Sequence, residues 1–271
     1  MKKFMRGEFS FDGIMMRQTY GIAVEKVHDM ILPPPRTRKI SIPHRDGRYD
    51  YGAKNWEERT LILDCNVAKV LSRAELRELS HLLSKKATII LWSEPDKYYA
   101  GQICNPDVFN KIGRGQQSFS LEFTCEPYAY GTIGTHELLG GSNPIDYKGT
   151  AETPCLIVLR NDGETAVSDV QITTMTGSTS YTGVYQYSLT RFSLNESDMR
   201  DLQGCLLHVT LNPGDELRLN SEDFTATLNG ENVLHLQEGE WIRMSRDVSA
   251  MSITGNGGEL NGSLIYEERW L

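Results

Sequence analysis

The chain has 271 residues, with 28 lysines and arginines against 36 aspartates and glutamates, and 39% of its residues are hydrophobic. This length favours two domains, and the ordinary hydrophobic content argues against a disordered or membrane-spanning chain. Residues 1–131 hold 20 basic and 16 acidic residues, whereas residues 132–271 hold 8 and 20. The acidic second half is therefore a poor partner for nucleic acid.

The lack of a targeting signal and the pattern of the cysteines indicate an intracellular origin. The sequence has no run of about eighteen apolar residues, and residues 1–8 lack the apolar core of a signal peptide. We therefore expect synthesis and folding in a cytoplasm. The five cysteines are odd in number and widely spaced, without a CxxC pair, which predicts free thiols packed mostly as small apolar side chains.

A projecting hairpin arm is predicted for residues 36–58. Its tight turn is expected at Asp46-Gly47, because both central positions of such a turn can take positive φ. The segment is rich in arginine and tyrosine and has few apolar residues to bury against its own core. We interpret it as an arm that grips a neighbouring subunit, with a floppy surface hairpin as the alternative. Its predicted interface residues are Arg36, Arg38, Ile40, Ile42, Arg45, Arg48, Tyr49, Tyr51 and Trp56.

One helix is predicted between two strands in the first half. Residues 59–65 and 87–92 are rich in β-branched and apolar residues, as strands are. Between them, Ser72 and Glu75 have the spacing of a capping box, and leucines follow at helical spacing. The pattern predicts a helix over 73–85 whose leucine face lies on its own sheet.

Two aromatic segments, LWSEPDKYYA (91–100) and FSLEFTCEPYAYG (119–131), each contain an acidic residue close to a proline. We interpret both as short strands interrupted at that point, and the second as the end of the first domain. Residues 113–117 lack the glycine pattern of a dinucleotide site or a P-loop and are predicted to be a flexible loop between strands.

The domain boundary is predicted at the glycine-rich stretch 131–144, which favours turns and extended chain over regular structure. The predicted domains are 1–132 and 133–271. After the boundary, short strands alternate with the turn signals Asn161-Asp-Gly163, Asn212-Pro-Gly-Asp215 and Asn229-Gly230, as in an all-β sandwich.

Patterns for catalysis and metal binding are weak. The carboxylate pairs Glu94/Asp96 and Glu122/Glu126 could be proposed as the catalytic acids of a glycoside hydrolase. Each pair has a member beside a proline in an expected turn, which favours carboxylates exposed to solvent over a catalytic pair. The sequence has no Gly-x-Ser-x-Gly elbow, and its six histidines form no HxH or HExxH motif. We therefore expect no enzyme activity, no metal and no cofactor.

Carbohydrate binding is the alternative function, because β-sandwiches often hold sugars on an exposed aromatic platform. The candidate platform residues are Trp241, Trp270, Tyr181, Tyr185 and Tyr187. For each of them the commoner role is the alternative: an aromatic side chain at a sheet edge or in the core. This interpretation describes a carbohydrate-binding module or a lectin-like adhesin, and a monomer with measurable sugar affinity would support it.

The first half of the sequence resembles the N-terminal domain of the distal tail (Dit) proteins of siphovirus-type, long-tailed bacteriophages. The resemblance is carried by the order of its segments: FSFDG (9–13), the arm, a strand, the capped helix, WSEPDKYY and EFTCEPYAYG. Glu126 stands where an aspartate commonly precedes the proline. The turns of the second half resemble the galectin-like domain of the same family. The fold implied is mainly β: a β-sandwich or barrel-like domain with one α-helix and a projecting hairpin arm, then a galectin-like jelly-roll β-sandwich that looks like a carbohydrate-binding module.

The resemblance also implies a function and partners. Distal tail proteins are structural virion proteins of a phage or prophage, and they form a hexameric ring, the baseplate hub at the tail tip. The partners implied are other copies of the chain, the tail tube protein, the tail-associated fibre or lysin protein and the tape-measure protein. DNA passes only transiently through the ring channel, and no membrane contact is implied.

Overall fold

The computed structural model describes residues 4–37, 39–41, 43–44, 46–50, 55–106, 108, 112, 117–176 and 203–271. The chain forms two compact units, residues 1–131 with 270–271 and residues 132–269. Antiparallel strands dominate both units, which confirms the predicted mainly β fold. No helix in the described ranges is long and apolar enough to cross a bilayer.

The first unit contains the capped helix and most of the predicted strands. Its elements are β1 (Phe9–Phe11), β2 (Ile14–Met15), α1 (Met16–Tyr20), β3 (Ile22–Asp29), β4 (Lys39–Ser41), β5 (Arg48–Asp50), β6 (Arg59–Val67), α2 (Arg73–Leu83), β7 (Ala87–Leu91), β8 (Tyr98–Ile103) and the first part of β9 (Ser118–Leu138).

The strands of this unit pair in the order β3-β6-β9-β8-β7-β1-β2, with every pair antiparallel. The Val24 amide also donates to the Gly7 carbonyl at 2.8 Å, so the chain just before β1 contacts β3. The sheet thus curls back on itself around a buried core. Phe11 from the FSFDG segment and Phe123 from the EFTCEPY segment stack in that core, with ring centroids 5.8 Å apart.

Helix α1 was not predicted, and the expectation of a single helix is therefore wrong. Its N-cap residue, Met15, makes no side-chain cap. The buried Glu8 carboxylate instead accepts from the Arg17 amide at 2.8 Å, and Gly21 ends the helix in the left-handed region with φ 72°. Because Glu8 lies outside the helix sequence, no capping motif marks this helix.

The predicted capping box of α2 is confirmed. The Glu75 amide donates to Ser72 Oγ at 3.2 Å, and the Ser72 amide donates to Glu75 Oε2 at 2.7 Å. These bonds, with the nearby Lys69 ammonium, lower the pKa of Glu75 to about 2. Leu79 and Leu83 are buried against the sheet, as the leucine spacing indicated. The helix ends at Leu83, two residues before the expected end.

Replacing the cap serine should measurably weaken the fold. We expect Ser72→Ala to lower the free energy of unfolding by about 1 kcal/mol, the usual cost of removing such a cap. The measurement is urea unfolding of the full chain. Ser84→Ala, which removes a hydroxyl at the other end of the same helix, is the matched control and should cost less. Equal losses for the two variants would show that the cap contributes nothing specific.

The second unit is built from the end of β9 and the strands that follow. They are β10 (Gly141–Pro144), β11 (Thr153–Arg160), β12 (Val167–Thr176), β13 (Gly204–Leu211), β14 (Glu216–Asn220), β15 (Thr225–Leu228), β16 (Glu231–Asn232), β17 (Gln237–Gly239), β18 (Arg243–Met244), β19 (Val248–Asn256) and β20 (Asn261–Trp270), with a 3-10 turn at Leu234–Leu236.

These strands form two antiparallel sheets, β16-β15-β14-β11-β20 and β10-β19-β12-β13-β17. Alternate residues of both sheets, such as Ile157 and Leu217 from the first and Ile172 and Ile253 from the second, belong to one buried cluster. The predicted Asn229-Gly230 turn is confirmed: its residues have φ 51° and 88° and join β15 to β16.

The stretch 131–144 is more regular than the sequence indicated. Strand β9 continues to Leu138, and β10 occupies Gly141–Pro144, so the expectation of turns and extended chain without regular structure is wrong. Leu138, Ile145 and Tyr147 are buried in the core of the second unit. The glycines in this stretch therefore do not mark a loose linker.

All five cysteines are free, as predicted, and four are buried. Burial raises the pKa of Cys125 and Cys155 to about 12 and that of Cys205 to about 11. Because the thiolate is the reactive form, we expect native labelling with a thiol reagent to modify the exposed Cys104 alone. Mass spectrometry after brief labelling checks this, and Cys104→Ser should remove the signal. Rapid labelling of a second cysteine would contradict the burial.

Candidate assembly surface

The arm predicted at residues 36–58 has an ordered base. The Arg36 amide donates to the Asn55 carbonyl and the Glu57 amide to the Pro34 carbonyl, both at 2.8 Å. The Arg36 guanidinium also lies 3.6 Å from the Glu57 carboxylate, an exposed ion pair worth little by itself. The two chain segments that enter and leave the arm are thus joined by backbone hydrogen bonds in the stretch between the end of β3 and the start of β6.

Beyond this base, β4 and β5 pair with each other in the register Lys39↔Asp50 and Ser41↔Arg48. The predicted hairpin exists, but six residues, 42–47, join its strands. The expected two-residue turn at Asp46-Gly47 is therefore wrong, although Gly47 does have a positive φ of 80°. Strands β4 and β5 form a two-stranded sheet of their own and pair with no other described strand.

The structure places the predicted interface residues as follows. Arg36 is exposed and Trp56 half-buried at the base of the arm, where Trp56 bridges to Pro35. The backbones of Ile40, Arg48 and Tyr49 lie in β4 and β5. Arg38, Ile42, Arg45 and Tyr51 lie outside the described residues. Their role in an interface stays a prediction.

An apolar run beside the arm was missed by sequence reasoning. Met30, Ile31 and Leu32 follow β3 directly and are 39%, 73% and 59% exposed. Pro33, Pro34 and Pro35 follow and lack the amide donors that a continued strand needs, so β3 ends and the run is not buried by a continued strand. The available signal was three consecutive large apolar residues immediately before a proline tract.

The WSEPDKYY segment serves the architecture of the first unit. Residues 92–97 connect β7 to β8, as a turn, and the Glu94 carboxylate accepts from the Tyr99 hydroxyl at 3.3 Å and the Lys97 ammonium at 3.4 Å. Lys97 in turn lies 4.6 Å from the ring centroid of Trp270. This contact helps to explain why the last two residues of the chain belong to the first unit.

The EFTCEPYAYG segment is one continuous strand, and the expected interruption at Glu126-Pro127 is wrong. Residues 126–128 of β9 lie opposite the single residue Ala100 of β8, which is a β-bulge. A bulge tolerates proline because that position needs no ladder donor. The Glu126 carboxylate bonds to both the Lys86 ammonium and the Tyr130 hydroxyl. It is thus not a turn acid.

Arg59 connects the two aromatic segments. Its buried guanidinium donates through Nε to the Pro127 carbonyl at 2.7 Å and lies 5.5 Å from the ring centroid of Tyr99. Both segments are therefore held by one side chain from β6. Their conspicuous residues are explained by packing and hydrogen bonding within the sheet.

The described carboxylates and histidines do not form a catalytic arrangement. The closest approach to a triad is Asp64, which bonds to His28 Nε2 and to Ser120 Oγ, both at 2.7 Å. These bonds, that of Ser120 foremost, lower the pKa of Asp64. A serine nucleophile needs the histidine as its direct partner, and here aspartate stands between them. The hydrogen bonds instead connect side chains of three adjacent strands, β3, β6 and β9.

The other candidate groups are also accounted for by local pairing. Glu94 and Asp96 both lie within 4 Å of the Lys97 ammonium, at 3.4 and 3.6 Å. Within the described residues, no group of three or more histidine, cysteine, aspartate or glutamate side chains could hold a metal ion.

The proposed sugar platform is not assembled by the described residues. Trp241 is half-buried and packs edge-on against Phe224, with ring centroids 5.6 Å apart, and Trp270 belongs to the other unit. Tyr181, Tyr185 and Tyr187 lie outside the described residues. Within the part of the chain that the structure describes, no observation favours the lectin-like alternative.

Comparison with known proteins identifies the fold. No protein-family model matches the sequence, and no curated protein matches it. Among solved structures, the chain is similar to the SPP1 Dit (gp 19.1) protein, described as a paradigm of the hub adsorption apparatus in Gram-positive infecting phages. The TM-score is 0.63 at 18% identity, and the match covers 97% of this chain and 99% of that chain. The chain therefore has the Dit fold, and the resemblance seen in the sequence is confirmed at that level.

Proposed function

We propose that the chain is a structural distal tail protein of a long-tailed phage or prophage. In this role it forms a hexameric ring hub that joins the tail tube to the host-recognition apparatus. The observation that carries the proposal is the similarity of fold to the SPP1 hub protein over nearly the full length of both chains. A match over one unit alone would fit many β-sandwich proteins, whereas this one includes both units in order.

Each of the two units is assigned a separate role in this proposal. Ring formation is assigned to residues 1–132, because the arm with its ordered base lies there. Residues 133–271 are assigned to a galectin-like sandwich, supported by two sheets around one core. Because Leu138, Ile145 and Tyr147 belong to that core and Trp270 packs with the first unit, a separate sandwich fragment should span 132–269.

The partners in this proposal are other tail components. They are the tail tube protein on one side of the ring, the fibre or lysin protein on the other, and the tape-measure protein; DNA passes through the channel transiently. The absence of a catalytic arrangement among the described residues is consistent with assembly as the function.

The tail-tip location can be tested on virions. Antibodies raised against the purified chain should label the distal end of the tail in electron micrographs of particles from the phage that encodes it. A mutant phage with a stop codon early in this gene should yield no labelled tails. Labelling of the capsid or along the tail tube would contradict the proposed location.

A further inference from the structure

The second unit contains three Asn-Gly pairs, Asn229-Gly230, Asn256-Gly257 and Asn261-Gly262. An asparagine in such a pair can lose its side-chain amide, because glycine has no side chain to hinder attack by its own nitrogen on the asparagine Cγ atom. In a folded protein the reaction needs these two atoms to approach each other, so the local structure decides which pair reacts. The three pairs lie in different surroundings.

Asn229-Gly230 is held in its turn. The side-chain oxygen of Asn229 accepts from the Glu216 amide at 2.9 Å, and its side-chain nitrogen donates to Asp215 Oδ1 at 2.8 Å. The Asn229 amide also donates to the Glu216 carbonyl at 2.8 Å. Movement of the side chain toward the Gly230 nitrogen would break these bonds, so we expect this pair to be protected.

Asn261-Gly262 is held in a sheet. The two residues begin β20 and pair with Arg160 and Leu159 of β11. A carbon atom added to Gly262 in place of a side chain would lie 2.1 Å from the Val158 carbonyl oxygen, so the two strands are in close contact here. Rotation of this peptide into the reactive geometry requires local separation of the strands, which again predicts protection.

Asn256-Gly257 lies where β19 ends. Residues 256–259 are exposed, and the register of β19 with β12 shifts next to the pair of Asn256 with Ser168. The Asn256 side chain donates from Nδ2 to Asp169 Oδ2 at 3.3 Å. Among the described residues, no carbonyl accepts a hydrogen bond from the Gly257 amide. This pair is therefore the least constrained of the three.

We propose that Asn256 is a site of spontaneous deamidation. The Gly257 nitrogen bonds to Asn256 Cγ, and the bond from Cγ to Nδ2 breaks. Ammonia leaves with the proton that the Gly257 nitrogen gives up, and a succinimide ring remains. Water then opens the ring at one of its two carbonyl carbons, which gives aspartate or isoaspartate. The reaction needs only water, and the inference is independent of ring assembly.

The product places a carboxylate where the structure has an amide donor. Asp169, which accepts from Asn256, also bonds to His208 Nδ1 at 3.1 Å, and His208 Nε2 lies 3.6 Å from the Glu238 carboxylate. Deamidation removes the side-chain bond between β19 and β12 and sets two negative charges opposite each other. We therefore expect deamidation to loosen the end of β19.

Peptide mapping by mass spectrometry tests the assignment. The folded full chain is incubated in mildly alkaline buffer, and a second sample is incubated after unfolding in guanidinium chloride. In the unfolded chain the three Asn-Gly pairs should react at similar rates, because their local chemistry is the same. In the folded chain we expect Asn256 to react at least about tenfold faster than Asn229 and Asn261, which react only after local opening.

Two variants complete the test. Asn256→Asp reproduces one product and identifies its peptide in the chromatogram, and isoaspartate should appear as a second peak of equal mass. Asn256→Gln should remove both peaks and leave the other two pairs unchanged. Reaction at Asn229 or Asn261 as fast as at Asn256 in the folded chain would overturn the inference. An intact Asn256 in the folded chain, with reaction there in the unfolded chain, would overturn it as well, and both outcomes leave the proposed function standing.

Discussion

Deleting residues 40–54 should abolish ring assembly and leave a folded monomer. Strands β4 and β5 pair with each other, and the deletion removes the end of one and all of the other. The base remains, because the bonds from Arg36 to Asn55 and from Glu57 to Pro34 use residues outside the deletion. The shortened connection is three residues, 37–39, a length that hairpins accept.

The arm deletion is measured by light scattering after gel filtration, with circular dichroism to verify folding. Thermal unfolding of the deleted chain should match that of the intact chain within about 0.5 kcal/mol, because none of the described core residues of the first unit lies between positions 40 and 54. Its mass should fall to that of one chain. Persistence of the full ring would show that the arm is a surface hairpin and that other contacts carry the assembly.

Phe123→Ala should be the most damaging single substitution considered for the first unit. Phe123 is fully buried and stacks on Phe11, so the alanine leaves a cavity between two of the segments that define the fold. The expected loss is about 3–5 kcal/mol in the free energy of unfolding. Such a loss is a large fraction of the total stability of a typical domain.

Tryptophan fluorescence during urea unfolding measures this loss, because Trp56, Trp92 and Trp270 belong to the first unit. Phe123→Leu, which keeps most of the buried volume, is the control and should cost clearly less than the alanine variant. If both variants unfold at the urea concentration of the unmodified chain, the packing of Phe11 on Phe123 is not what holds the sheet together.

Local signals in the sequence were sufficient wherever neighbouring residues determine the structure. The capping box fixed the start of α2 because both bonding partners lie within four residues. The Asn229-Gly230 turn was predictable because few residues accept positive φ at both positions. Strands β11 and β13 correspond to short apolar segments that the sequence places between the turn signals of the second half.

Features that depend on distant residues were not predictable. Helix α1 is capped by a carboxylate seven residues before its N-cap residue, and β9 carries Pro127 because a bulge forms opposite β8. The resemblance of the aromatic segments to distal tail proteins predicted the correct fold. The residue pattern of these segments, taken without the resemblance, predicted only that they are strands. At the candidate surface, the hairpin was visible in the sequence, but the exposure of residues 30–32 required the structure.

Assembly of this chain into a closed ring can be tested by negative-stain electron microscopy of the purified full chain, with its mass measured in solution. We expect rings with six-fold symmetry and a mass six times 30.6 kDa. A species of 30.6 kDa that stays monomeric at micromolar concentrations, without rings in the images, would contradict it.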